Sequence, residues 1–250
     1  MSPDWIKVRN PKDDIYQTLV EQYWNWLLDE EKVVDNPKKK VNGEDVFFMR
    51  MIYGYGNRWE INPDTGVLSV SRKNVLTNNR MGADKDKKLE LSSGKPIFLP
   101  VIDSCECDFD KDSSGMPLTP GLMNKILEAE NNDVERNIRN GRVRSTVRRL
   151  EEGKNTPPHD IVDDLTNYHI GVPGRIGGTG TFQLKIPENS RLAQTLEFEF
   201  PRGKTVNARA EGIYLIFEIN KPGLYQIRSS AEGLRGYIAD MNYRIQITTP

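Results

Sequence analysis

The chain has 250 residues, of which 36% are hydrophobic and 28% charged, with a formal net charge of -1. That length and apolar content allow a sizeable core without disulfide staples, and the near-zero charge excludes a global field that would draw nucleic acid or an anionic membrane. No run reaches the roughly 18 apolar residues of a membrane-spanning helix, and Met1-Ser2-Pro3-Asp4-Trp5 has no basic segment leading into an apolar one, so a cytoplasmic protein is expected, or a secreted one whose leader has been removed.

Asn10-Pro11 suits a helix start. Ile15, Leu19, Tyr23, Trp26 and Leu27 then recur at helical spacing, predicting an N-terminal helix that ends before Asn36-Pro37. Val46 to Tyr53 has strand length and apolar content. Arg58 to Ile61 and Val67 to Ser71 flank the turn residues Asn62-Pro63-Asp64-Thr65-Gly66 and predict a hairpin. Residues 81–88 are charged and read as a loop. Pro96 to Ile102 reads as a buried strand.

Thr119-Pro120 predicts a second helix carrying Leu122, Ile126 and Leu127. Asp133 to Lys154 is arginine-rich and is expected to be a solvated helical face. Pro157-Pro158 breaks it, and the glycines of 171–180 predict a loop. Strands return with Thr181 to Ile186. Next, Leu196, Phe198 and Phe200 alternate with Glu197 and Glu199, which makes one face wet and the other buried. Val206 to Ala210, Ile213 to Ile219, Leu224 to Ser229 and Tyr237 to Thr248 follow, with a turn at Lys221-Pro222-Gly223.

Short strands punctuated by turns predict a mainly β fold: an antiparallel, jelly-roll-like β-sandwich with an N-terminal helix and a helical insertion. One domain over 1–250 is expected, with 116–180 as a helical and loop insertion outside the core.

Several segments occur in a suggestive order. They are Trp24-Asn25-Trp26, Gly94-Lys95-Pro96-Ile97-Phe98-Leu99-Pro100, Ala210-Glu211-Gly212-Ile213-Tyr214 and Pro222-Gly223. Together they resemble a widespread, largely uncharacterised family of bacterial and archaeal β-rich proteins, many of them secreted. Members carry a Trp-x-Trp helix, a Gly-Lys-x-x-Phe-x-Pro strand and an Ala-x-Gly-Tyr-like strand before a Pro-Gly turn. Ile213 departs from that pattern by standing between Gly212 and Tyr214. The resemblance leaves out 116–180. It implies the fold and supplies no activity or catalytic residue.

The densest polar stretch is Asp103, Cys105, Glu106, Cys107, Asp108, Asp110 and Asp112, expected as an acidic loop leaving a buried strand. Asp108, Asp110 and Asp112 alternate as in the start of a calcium loop, but Gly115 comes late and Thr119 stands where the closing Glu belongs. A looser divalent-cation site stays open, with Asp103, Cys105, Cys107, Asp108, Asp110 and Asp112 as ligands. The thiols are two apart, not three as in the commoner zinc pair. In an extended strand the two would share a face and could simply pack.

His159-Asp160 could form an oriented base, although no nucleophile is evident. Arg175 in its glycine stretch could meet an anion, although no helix follows. Arg139, Arg142, Arg144 and Arg148 would pair at helical spacing and meet an anionic partner. With no interleaved aromatics, nucleic acid is a poor partner. Trp24, Trp26 and Trp59 could stack on a glycan, or anchor a helix to a sheet.

Three functions follow. The first is a non-enzymatic ligand-binding or structural and interaction module for a small molecule, glycan or protein. The second is a hydrolase or metal-dependent enzyme using residues 103–112. The third is an adaptor for an anionic partner through residues 136–149.

Overall fold

The structure, a computed structural model, describes residues 3–12, 15–29, 39–41, 44–49, 59–61, 68–70, 89–109, 116–151, 156–170, 180–190, 202–232 and 238–250. In chain order, β1 (Ile6–Val8) precedes helix α1 (Ile15–Leu28), which is followed by β2 (Lys39–Val41), β3 (Glu44–Phe48), β4 (Trp59–Ile61), β5 (Leu68–Val70), β6 (Leu89–Ser92) and β7 (Ile97–Cys107). Helix α2 (Pro120–Arg139) leads to β8 (Val143–Leu150), β9 (His159–Asp160), a 3-10 turn (Leu165–Tyr168), β10 (His169–Ile170) and β11 (Phe182–Ile186). The long strands β12 (Lys204–Ile219), β13 (Gly223–Glu232) and β14 (Ile238–Thr248) complete the order.

The protein is mainly β, with an N-terminal helix. A seven-stranded sheet has the order β1-β12-β7-β3-β2, with β10 and β11 also on β12. A five-stranded sheet has the order β6-β14-β13-β8-β9, and among the described residues β4 and β5 form a two-stranded sheet. The sheets are not wholly antiparallel as expected, because β3 runs parallel to β7 and β6 parallel to β14. These pairs join distant parts of the chain, so no local turn signal marks them.

Helix α1 begins at Ile15, later than Asn10-Pro11 suggested, because the Asn10 side chain accepts from Lys12 N (3.0 Å) and closes a turn of its own. Its apolar stripe is fully packed. Tyr23 lies within 6.0 Å, centroid to centroid, of the Trp26, Phe48 and Phe98 rings. Helix α2 starts as the sequence predicts: Thr119 Oγ1 accepts from Leu122 N at 3.3 Å and Pro120 occupies the first turn.

The arginine-rich segment corrects the sequence reading. The helix ends at Arg139 and Gly141 turns the chain at φ 69°. Residues 143–150 are then a strand hydrogen-bonded to β13. Val143, Ser145 and Val147 are buried, whereas Arg144 is exposed. That is a period of two, in which inward and outward side chains alternate. Arg139 and Arg142 therefore share no helix turn, and Arg144 and Arg148 share a sheet face instead.

Residues 116–180 are not peripheral either. Val134, Val143, Val147, Ile161, Leu165 and Ile170 join the same buried cluster as Phe47, Phe98, Phe217 and Ile245. The runs 206–210 and 213–219, expected as separate strands, are one strand through Gly212. The alternating run 196–200 lies outside the described residues.

Candidate functional site

Strands β7 and β12 pair over ten register positions and carry polar groups on both of their faces. On the α1 face, Asp103 lies opposite Gly212. A Cβ at Gly212 would sit 2.4 Å from Ile102 O, so only glycine lets β7 approach this closely. Tyr214 OH donates to Asp103 Oδ2 at 3.3 Å and lies 3.5 Å from Trp24 Nε1. Burial, reinforced by the Asp103 carboxylate, holds the Tyr214 phenol well above the ordinary tyrosine range.

The opposite face carries a buried histidine. His169 pairs with Ile213, which puts its ring on the same side as Glu211. Nε2 is 2.6 Å from Glu211 Oε1, and Nδ1 is 2.9 Å from Glu135 Oε1 on α2. His169 is 3% exposed and Glu211 fully buried. This Glu-His-Glu clasp ties α2 to β10 and β12. Nothing in the sequence singled it out, because its members are 34 and 42 residues from the histidine and meet only through the β10–β12 pairing.

Among the described residues, those suspected of metal binding do not gather. Asp103 to Cys107 are strand, not loop. Asp103 is engaged by Tyr214 on the face away from His169. Asp108 accepts from Asn207 N (3.1 Å) and Nδ2 (2.7 Å). Cys107 is buried and Cys105 half-buried, and neither forms a disulfide. Among the described residues no group of three or more His, Cys, Asp and Glu could hold a metal ion. Asp110 and Asp112 lie outside the described residues, as do Arg175 and all but Gly180 of the glycine stretch.

His159 and Asp160 do not act as a pair. His159 faces the Trp5 ring, 6.4 Å between centroids, while Asp160 takes two hydrogen bonds from Arg144. Trp24 and Trp26 are 3% and 1% exposed and offer no ring face to a glycan. The Trp59 side chain lies outside what is described.

The five-stranded sheet brings arginines together. Register places Arg144, Ser230 and Asp240 in one row across β8, β13 and β14. Thr146, Arg228 and Asn242 form the next row, and Arg148, Gln226 and Arg244 the third. Directly opposed residues share a face, and this face is the solvent side: Arg144, Arg228 and Arg244 are exposed, Arg148 and Gln226 half-buried. The other side carries buried Val147, Ile227 and Ile245. Arg144 donates from Nε to Asp160 Oδ1 (2.6 Å) and from Nη2 to Oδ2 (3.2 Å), and this pairing raises its pKa further above the usual value. Arg139 sits on α2, where it lies 3.9 Å from Glu135, and Arg142 sits in the turn, so neither joins this face.

No family model matches the chain, and no curated protein or solved structure matches it significantly. The clasp is enclosed and structural in position. The arginine face is open to solvent. Among the described residues no helix is long and apolar enough to cross a membrane.

Proposed function

We propose that the chain is a non-enzymatic binding module, a β-sandwich of jelly-roll type whose five-stranded sheet meets an anionic partner with its solvent side. Two observations support the sandwich. The buried cluster includes side chains of both sheets, and the Trp5 ring, just ahead of β1, lies 5.0 Å from the Tyr225 ring on β13. Membership of the β-rich family that the chain resembles belongs to the same reading, since its Trp-x-Trp segment falls on α1 and its Gly-Lys-x-x-Phe-x-Pro segment enters β7.

The register carries the functional part. Four arginines occupy one face of three neighbouring strands, where Glu90 is exposed, Asp160 is half-buried and bonded to Arg144, and Asp240 stands in register with Arg144 and Ser230. Guanidinium groups bind carboxylate, sulfate and phosphate bidentately and stay charged at any physiological pH. The enzyme reading has no comparable support, since the acidic stretch and the two histidines do not converge among the described residues.

Wild-type protein should be retained on a cation exchanger at pH 7 despite its net charge of -1. Joint replacement of Arg144, Arg228 and Arg244 by Gln should abolish retention without altering the melting temperature. Joint replacement of the exposed Arg136, Arg139 and Arg142 by Gln removes equal charge elsewhere and should leave most of it. Equal losses in the two triple variants would sink the reading.

A further inference from the structure

We propose that the outer edge of β11 is a strand-addition site held shut by Asn25, and that the strand it excludes is the β11 of a second copy of this chain. Strand β11 is hydrogen-bonded to β12 on one side, and among the described residues no strand lies on the other. An edge of this kind presents a row of backbone donors and acceptors that can template pairing with another chain.

Asn25 fills that row with a side chain. From helix α1, its Nδ2 donates to Gln183 O (3.0 Å) and its Oδ1 accepts from Lys185 N (2.8 Å). Those two backbone groups therefore face away from β12. One residue of a parallel neighbouring strand would make the same pair of bonds with its own N–H and C=O, so the amide takes the place of an added strand. Nδ2 also donates to Glu21 O (3.0 Å), one turn back in α1. Both amide hydrogens and the amide oxygen are thus engaged, which fixes the orientation of the group.

Helix α1 finishes this side of the sheet at a second place. Arg9 N donates to Ile216 O (2.8 Å), as an added strand residue would. The return bond is intercepted: Ile216 N donates to the Tyr16 hydroxyl (3.1 Å), which donates to Arg9 O (3.2 Å). Side chains of one helix therefore meet backbone groups of the sheet at both β1 and β11.

The identity of the excluded partner follows from β11 itself. Phe182, Leu184 and Ile186 are buried while Gln183 and Lys185 are exposed, so every copy carries the same half-buried, two-residue pattern. A twofold axis at the edge would set two such strands antiparallel, in the closed symmetry commonest among oligomers. Backbone pairing needs no particular side chain, so an obstacle to it has to sit on the backbone groups, as Asn25 does. This inference is independent of the basic face.

Size-exclusion chromatography with light scattering tests it on the full chain. Asn25→Ala and Asn25→Ser leave no side chain able to bridge Gln183 O and Lys185 N. Both should shift towards twice the mass of the unsubstituted protein as concentration rises, with native circular dichroism retained. Amide hydrogen exchange locates the contact: Gln183 and Lys185 should be protected in the associated form and exposed in the dilute one. Folded variants that keep the unsubstituted mass at every concentration overturn the proposal. So does association that leaves those two amides unprotected, because it then runs through another surface. Loss of native circular dichroism in both variants makes the contact a condition of folding and overturns it too.

Discussion

His169 is the residue on which two carboxylates converge. With the ring 3% exposed and Glu211 fully buried, little solvent screens the contacts to Glu135 and Glu211. Removing one partner of a buried hydrogen-bonded group costs about 1–3 kcal/mol, because the group left behind stays desolvated. His169→Asn should therefore lower the unfolding free energy read from denaturant curves by an amount in that range; a loss under about 1 kcal/mol, the scale of a surface pair, would show the clasp to be solvent-screened. Tyr214 makes a separate prediction. Burial holds its folded pKa well above the ordinary tyrosine value of about 10, so the native state keeps the proton that the unfolded chain releases first. The stabilisation is complete below pH 10 and declines as pH rises beyond it. Tyr214→Phe should flatten that alkaline loss in a pH series of unfolding curves, and an unchanged slope would contradict the assignment.

At the scale of elements, α2 and β8 show how one charged stretch divides. Thr119 and Pro120 start the helix by local chemistry alone, so Thr119→Ala should cost about 1 kcal/mol through loss of the contact to Leu122 N. Circular dichroism melts would show this, and no shift would mean that tertiary packing alone fixes the helix start. The helix stops because Gly141 takes a left-handed conformation, beyond which Val143-Arg144-Ser145-Thr146-Val147-Arg148 alternates buried and outward side chains. Charge density made the stretch resemble a solvated helix. The two-residue period of its apolar positions was present in the sequence and decided the strand, because a central place beside β13 rewards it with burial.

Across the whole molecule, β12 and β13 are the organising strands. β12 is bonded to β7 on one side and to β1, β10 and β11 along the other, and β13 lies between β8 and β14. Amides at the centres of both should be the slowest to exchange with deuterium, and those of the edge strands β2 and β9 among the fastest. Faster exchange at Ile216 and Ile227 than in β9 would show that the sheets do not open from their edges.

The sequence by itself determined the mainly β character, the N-terminal helix with its Leu19, Tyr23 and Trp26 stripe, the start of α2 and the turn at Pro222-Gly223. Each depends on local spacing, capping or turn chemistry, which neighbouring residues specify. Tertiary structure decided the parallel pairs, the clasp of Glu135, His169 and Glu211, and the meeting of Arg144 and Arg148 with Arg228 and Arg244. Those contacts join residues from 34 to 156 positions apart, and only strand register, set by burial of one sheet face, selects which of them meet.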